Sequence, residues 1–391
     1  MKKISIVLFM FIIVGAFYSQ AQQNLFGSQN IKSAVVNDDQ TVTFKFIGPH
    51  AKNVQIAGDF VDIVSENPIG GLVGTGLVNM VKETDSLWSY TSKPLKSELY
   101  SYLFVVDGIA TVDLNNVHVY RDFATLSNVF VVGNGQADLY KVNAIPHGTL
   151  SHHWYHSNLL GKDRRINIYT PPSYESSPNK RYPVLYLLHG SGGDEDEWII
   201  FGRTVQIIDN LIHQGKAEPM LVAIPNGHVH LEAAPGESSW GYYKPEHFRN
   251  LTSPATYEET FPEIISFVDN NYRTLANKEN RAIAGLSMGG GHSMRISRMY
   301  ENTFDYVGLF SAAGAIRTDE ESASLKKQFD NGLKLYWIGM GSDDFLYNSC
   351  VQYRAKLDEM GLKYTYVETD DGHVWKNWRI YLSIFAPLLF K

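Results

Sequence analysis

Two periodicities divide this chain. From about residue 22 to 133 apolar and polar residues alternate in short runs: Thr41-Val42-Thr43-Phe44-Lys45-Phe46, Asn53-Val54-Gln55-Ile56-Ala57, and Leu99 to Val106 before the turn Asp107-Gly108. A period of two over such lengths predicts half-buried strands, and strands separated by turn signals predict a small β-sandwich. The Gly-rich stretch 61–77 carries no pattern and reads as a loop, and 134–143 reads as a linker. Beyond it the texture changes. Continuous apolar runs at Tyr182 to Leu188, Met220 to Ile224, Val307 to Phe310 and Leu335 to Ile338 predict central parallel strands. Arg164 to Thr170 alternates as an edge strand would. Between these runs, Tyr257, Phe261, Ile264, Ile265, Val268 and Tyr272 fall at helical spacing. Strand and helix alternating in this way predict a doubly wound α/β domain over 144–391.

Composition adds boundaries to this picture. The chain has 391 residues, 44% hydrophobic and 19% charged, enough for two globular cores. A formal net charge of −7 and the lack of a basic stripe exclude nucleic acid as an expected partner. Residues 1–21 combine Lys2 and Lys3, an apolar run from Ile4 to Phe17 and the small-x-small site Ser19-Gln20-Ala21, the pattern of a cleavable secretory signal. Export to the periplasm or the medium is therefore expected, with no membrane anchor after cleavage and no lipoprotein cysteine. The single cysteine, Cys350, is expected to be a buried apolar side chain.

The candidate chemistry centres on Gly285-Leu286-Ser287-Met288-Gly289, set between an apolar run and a segment able to continue as a helix. A serine at a sharp strand-to-helix turn holds its hydroxyl clear of the sheet, and the flanking glycines admit close neighbours. Serine is a weak nucleophile at neutral pH and needs a histidine base oriented by a carboxylate. Two histidines follow it, His292 and His373. His292 lies in the helix leaving the turn, too near in sequence to approach from the opposite side, whereas His373 follows the last β-like run. The carboxylate should lie between, in Gly341-Ser342-Asp343-Asp344, where spacing alone admits either aspartate. A developing oxyanion needs two backbone donors. The Met288 amide is one; His189-Gly190-Ser191-Gly192-Gly193 offers Ser191, with Gly192 second, as the other. The acidic run Asp194 to Glu197 reads as a helix start, and His152, His153, His156, His228 and His230 read as loop histidines rather than metal ligands. Trp240, in a Gly- and Ser-rich loop, is a candidate substrate-packing residue. No metal or organic cofactor is implied.

From Ile145 onward the chain resembles carbohydrate esterase family 1, the feruloyl and acetyl xylan esterases of the esterase D superfamily. The resemblance rests on Pro146-His147-Gly148, Ile168 to Pro172, Leu187 to Gly193, Gly285 to Gly290, Gly341 to Asp344 and Gly372-His373-Val374-Trp375. It implies an α/β-hydrolase fold, and it implies Asp344, the last place of a Gly-x-x-Asp turn, as the third member beside Ser287 and His373. The preceding region resembles the immunoglobulin-like module related to family 48 carbohydrate-binding modules, through Ala57-Gly58-Asp59, Leu87-Trp88-Ser89, Tyr100 to Gly108 and Asp113-Leu114-Asn115. Trp88, Tyr100 and Tyr102 could stack on sugar there, although strand aromatics are more often core. The resemblance implies removal of feruloyl or acetyl groups from acylated plant polysaccharide such as xylan. Two other functions compete: a siderophore-ester hydrolase of the enterochelin type, which would collect basic residues at its cleft, and a non-catalytic carbohydrate-binding protein, which would not need the complete serine, aspartate and histidine set.

Overall fold

The computed structural model describes residues 31–62, 76–122, 125–239, 253–312 and 314–391. The signal segment 1–21, most of the 61–77 loop and Trp240 lie outside these residues; Gly76 and Leu77 open a strand, Gly76–Asn79.

The alternating N-terminal runs form two antiparallel sheets. One orders Val35–Val36, Val42–Ile47, Leu87–Thr91 and Val81–Lys82. The other orders Gly76–Asn79, Val54–Gly58, Glu98–Val106, Thr125–Val132 and Val119–Asp122, with Ile109–Thr111 paired to Glu98–Val106. Their inward positions Val42, Phe44, Val54, Ile56, Trp88, Tyr102, Phe104 and Phe130 make a common core, with Phe44 edge-on to Tyr102 at 4.8 Å. Trp88 and Tyr102 are therefore core residues rather than exposed sugar platforms.

The second unit is one eight-stranded sheet: β1 (Thr149–Ser157), β2 (Lys162–Thr170), β3 (Val184–Leu188), β4 (Leu221–Pro225), β5 (Arg281–Leu286), β6 (Tyr306–Phe310), β7 (Leu335–Gly341) and β8 (Thr365–Thr369), in the order β1-β2-β4-β3-β5-β6-β7-β8. β1 and β2 run antiparallel to their neighbours, and β3 to β8 pair in parallel. The sequence expectation needs correction at one edge: Arg164 to Thr170 lies inside the sheet, and β1, with His152, His153 and His156 on it, is the edge strand.

Each strand sends alternate residues to opposite layers. In β3, Leu185 and Leu187 face one core and Val184, Tyr186 and Leu188 the other. The first layer is covered by α2 (Thr204–His213) and α7 (Trp375–Phe385), preceded by the short α1 (Glu197–Ile200). The second is covered by α3 (Tyr257–Asn271), α4 (Met288–Met299), α5 (Asp319–Asp330) and α6 (Tyr347–Glu359). α3 begins with a reciprocal capping box between Thr256 and Glu259. Pro262 removes one of its backbone donors, and the Tyr300 hydroxyl donates instead to the carbonyl left over, that of Glu258, at 3.1 Å. Cys350 is buried, as expected.

The stretch 134–143 is not an exposed tether. It contains a 3₁₀ turn, Gln136–Leu139, and buries Ala137 and Tyr140 completely in the first layer, together with Leu99 and Val129 of the sandwich. Arg379 of α7 seals this junction. Its Nε donates to Glu98 Oε1 at 3.0 Å, and Nη1 and Nη2 donate to the carbonyls of Phe201 and Leu99. Both charged side chains are almost fully buried. Replacing Arg379 with methionine strands the Glu98 carboxylate and is expected to destabilise the protein by ~3–5 kcal/mol, the usual effect of removing one partner of a buried pair. Urea unfolding measures it. A loss under about 1 kcal/mol, the range of surface pairs, would mean that this junction does not form in solution.

Candidate functional site

The positions singled out in the sequence leave the carboxyl ends of the parallel strands, the edge of an open α/β sheet where ligands gather. Ser287 follows β5 with φ 51° and ψ −115°, a conformation an L-residue holds only when its surroundings impose it. Its amide donates to the Phe310 carbonyl at 2.9 Å, and its own carbonyl accepts from Gly291 in the first turn of α4. The flanking glycines are steric requirements. A Cβ at Gly285 would come within 2.5 Å of the Gly289 backbone, and one at Gly289 within 2.5 Å of the Leu188 and His189 carbonyl oxygens. The elbow is thus wedged against the end of β3.

The loop after β3 runs alongside. A Cβ at Gly190 would lie 3.5 Å from that of Ser287, which places this loop next to the serine. The Gly193 amide donates to the Gly190 carbonyl and closes a turn; among the described residues the Ser191 and Gly192 amides donate to no other backbone group. Ser191 is exposed, and Gly192 and Met288 are half-buried. His189 holds the turn from beneath. Its Nδ1 donates to the Gly190 carbonyl at 2.7 Å, and its Nε2 accepts the Gly227 amide at 2.7 Å, which assigns a neutral Nδ1–H tautomer. Burial pushes its pKa down to about 4, so it keeps that form at neutral pH. Glu195 ties the same loop to the segment after β4, accepting from Asn226 Nδ2 and the Ala234 amide, both at 2.8 Å. Burial, with the neighbouring Asp194 charge, raises this carboxyl to about 7.

The acidic run does begin a helix, α1, but its side chains also meet the sandwich. Asp194 pairs with Arg121 at 2.6 Å. Glu197, buried beside Asp122, is raised well above the ordinary range, first by burial and then by the Asp122 charge. The Glu197 carboxylate also occupies the space where a Gly193 side chain would stand.

Asp344 and His373 come together across the ends of β7 and β8. His373 Nδ1 lies 2.9 Å and 3.1 Å from the two Asp344 oxygens. The Asp344 side chain is inaccessible, and its Oδ1 also accepts the Leu346 amide at 2.9 Å. Burial acts to raise this carboxyl, but the His373 and Leu346 hydrogen bonds outweigh it and hold the pKa below the ordinary value. The two loops interlock: the Ser342 amide donates to Thr369, the Asp343 amide to Asp371, and Asn377 Nδ2 to the Asp370 and Gly372 carbonyls. The His373 ring is flanked by Phe345 at 4.5 Å and Trp378 at 5.0 Å. Asp343 is exposed; it caps no helix, since α6 starts at Tyr347 after Leu346.

The remaining candidates have structural partners. His292 Nδ1 sits 2.8 Å from Glu258 Oε1, and Arg295 meets the same oxygen. Burial opposes ionisation of Glu258, yet these two partners bring its pKa down to about 2. His156 pairs with Asp163 at 2.8 Å. Among the described residues no cluster of three or more His, Cys, Asp or Glu side chains could hold a metal. Sequence reasoning named the loop that contains His189 but not its clamp, and it missed Glu195, Phe345 and Trp378. Only Glu195, an acid inside an otherwise local turn motif, left a signal that could have been followed.

The family model Esterase, described as "Putative esterase", matches residues 157–384. An endo-1,4-beta-xylanase/feruloyl esterase of Xylanibacter ruminicola is 30% identical over 363 residues, which is 91% of this chain and 46% of that protein, so the chain spans just under half the length of this relative. A solved CE1 ferulic acid esterase from Anaeromyces mucronatus, in complex with ferulic acid, shares the fold with a TM-score of 0.52 at 22% identity, over 71% of this chain and 98% of that one. The enterobactin esterase of Shigella flexneri shares it with a TM-score of 0.59 at 15% identity, over 89% of this chain and 92% of that one. These structural likenesses establish the α/β-hydrolase fold. Matched by the family model over more than half its length, the chain belongs to the esterase family.

Proposed function

We propose that this protein is a serine esterase that removes feruloyl or acetyl groups from plant cell-wall polysaccharide such as xylan. The observation that carries the reading is the buried Asp344 carboxylate bonded to His373 Nδ1. With Nδ1 donating to Asp344, Nε2 is the ring nitrogen left to accept a proton. Ser287 Oγ attacks the ester carbonyl carbon as His373 Nε2 takes its proton, and the carbonyl oxygen takes up the negative charge against the Met288 and Ser191 amides. When the tetrahedral adduct collapses, the bond to the sugar oxygen breaks and His373 returns the proton to that oxygen. Water then attacks the acyl-enzyme with the same histidine as base, freeing the acid and Ser287. His189 and Glu195 fix the loop that presents Ser191; they stay out of the proton transfers. Residues 1–21 act as a cleaved export signal, delivering the enzyme to the periplasm or the medium. The sandwich is a relative of the family 48 carbohydrate-binding modules.

A feruloyl-polysaccharide substrate is supported by the Xylanibacter relative's name, and the neutral or acidic cleft loops, Gly190 to Gly193 and Asp343, Asp370 and Asp371, agree with an uncharged sugar ester. Similarity to the enterobactin esterase across both units favours a second substrate class, an anionic iron-siderophore ester, but those loops do not gather the basic residues such a complex would need. Parallel assays on a feruloylated arabinoxylan fragment, acetylated xylan and an iron-siderophore trilactone decide between them. Ester release from either polysaccharide substrate at least about 100-fold faster, in kcat/KM, than from the trilactone is the expected outcome. The reverse ranking would replace the proposal with the siderophore reading.

A further inference from the structure

Phe345 is 75% exposed beside the catalytic histidine, yet its backbone is closely constrained. Its neighbour Asp344 is locked by the bond to His373, and the next amide, Leu346, donates to the Asp344 carboxylate. The turn therefore fixes the backbone that carries the phenyl ring, whose centroid lies 4.5 Å from that of His373 with the two planes tilted by 51°. The imidazole does not need this ring as its inner wall. Trp378, 6% exposed, already packs edge-on against it at 5.0 Å. A phenyl group left in water forgoes the burial that normally stabilises it, and this one sits beside the group that handles the leaving alcohol.

We propose that Phe345 is the platform for the sugar ring that leaves the ester, a binding site on the alcohol side of the scissile bond. The inference rests on the serine esterase reading above. In that reaction His373 must reach the departing oxygen within hydrogen-bond distance, about 3 Å, to return its proton. The first sugar ring is covalently attached to that oxygen and so lies within one ring's width of the imidazole, where Phe345 offers an exposed aromatic face. Sugar rings present a face of C–H groups that packs on such a surface, while their hydroxyls remain solvated at the rim. The acyl group stays on Ser287 and extends from the carbonyl carbon away from the leaving oxygen. Phe345 would thus select for a glycosyl leaving group without affecting which acid is released.

The test uses the full chain and esters that share one acyl group: methyl ferulate, which has no sugar, and feruloyl-arabinosyl-xylobiose. In Phe345→Leu, which keeps an apolar contact with His373 but loses the flat ring, KM for the oligosaccharide is expected to rise about 10-fold more than KM for methyl ferulate, with any change in kcat shared by the two esters. Phe345→Trp, with a larger ring, should keep or lower the oligosaccharide KM. Equal losses on the two esters would make Phe345 a support for His373 and overturn the proposal, as would unchanged constants on both. Failure of the underlying esterase reading looks different: the unsubstituted protein would hydrolyse neither ester.

Discussion

Replacing Ser287 with alanine is expected to lower kcat for methyl ferulate by about 10⁵- to 10⁶-fold, the loss seen when the nucleophile of a serine hydrolase is removed, while the fold survives. The substitution deletes one oxygen and leaves the conditions that set the turn. Those are the backbone bonds from Ser287 to Phe310 and from Gly291 to Ser287, and the glycines at 285 and 289, none of which involves the hydroxyl. Alanine at a positive φ is strained much as serine is, so the thermal midpoint should move by no more than a few degrees. Turnover within about ten-fold of the parent, in a protein with an unchanged midpoint, would remove Ser287 from the mechanism and the serine esterase reading with it.

The sequence exposed the centre of the sheet and its chemistry because both depend on local signals. Five apolar runs marked buried strands, and the elbow is a motif in which backbone geometry dictates residue type at three positions. The edge of the sheet was harder to see. β1 carries His152, His153 and His156 among half-exposed positions, so its alternation is masked by polar side chains. β2 misled in the opposite sense. Arg165 and Asn167 give it the polar alternation of a one-sided strand, yet both are buried, held by the Glu195 carboxyl and carbonyl and by Asp196. Polar residues that satisfy one another inside a protein cannot be told from solvated ones by periodicity alone.

The junction between the two units had no local signal at all. Glu98 and Arg379 are 281 residues apart, and each stands in an otherwise ordinary element. The sequence reading treated 134–143 as a tether; in the structure Tyr140 fills a place in the first layer, and Arg203 donates to its carbonyl at 3.0 Å and to Tyr120 of the sandwich at 3.2 Å. The same sandwich strand carries Arg121 and Asp122, which meet Asp194 and Glu197 just beyond the turn that presents Ser191. This arrangement makes the sandwich a support for that turn.

Asp344→Asn should lower kcat by about 10³- to 10⁴-fold, the scale observed when a triad aspartate becomes an amide, whereas Asp343→Asn should leave it within about two-fold. The contrast follows from the burial and partners of the two adjacent side chains. Asp344 accepts from His373 Nδ1 and from the Leu346 amide in a site closed to water, so the neutral amide offers His373 one acceptor and one donor in place of a carboxylate. Where the amide nitrogen faces Nδ1, the imidazole must carry its proton on Nε2, and it can then no longer accept the serine proton. The imidazolium formed during attack also loses its counter-charge in a poorly solvated site. Asp343 is exposed, and only its backbone amide takes part in the interlocked loops, through Asp371, a bond that asparagine retains. Steady-state kinetics on methyl ferulate for both variants, with thermal midpoints to confirm folding, gives the comparison. A large loss in Asp343→Asn with little in Asp344→Asn would move the third member of the triad by one position and would contradict the geometry of the β7 loop.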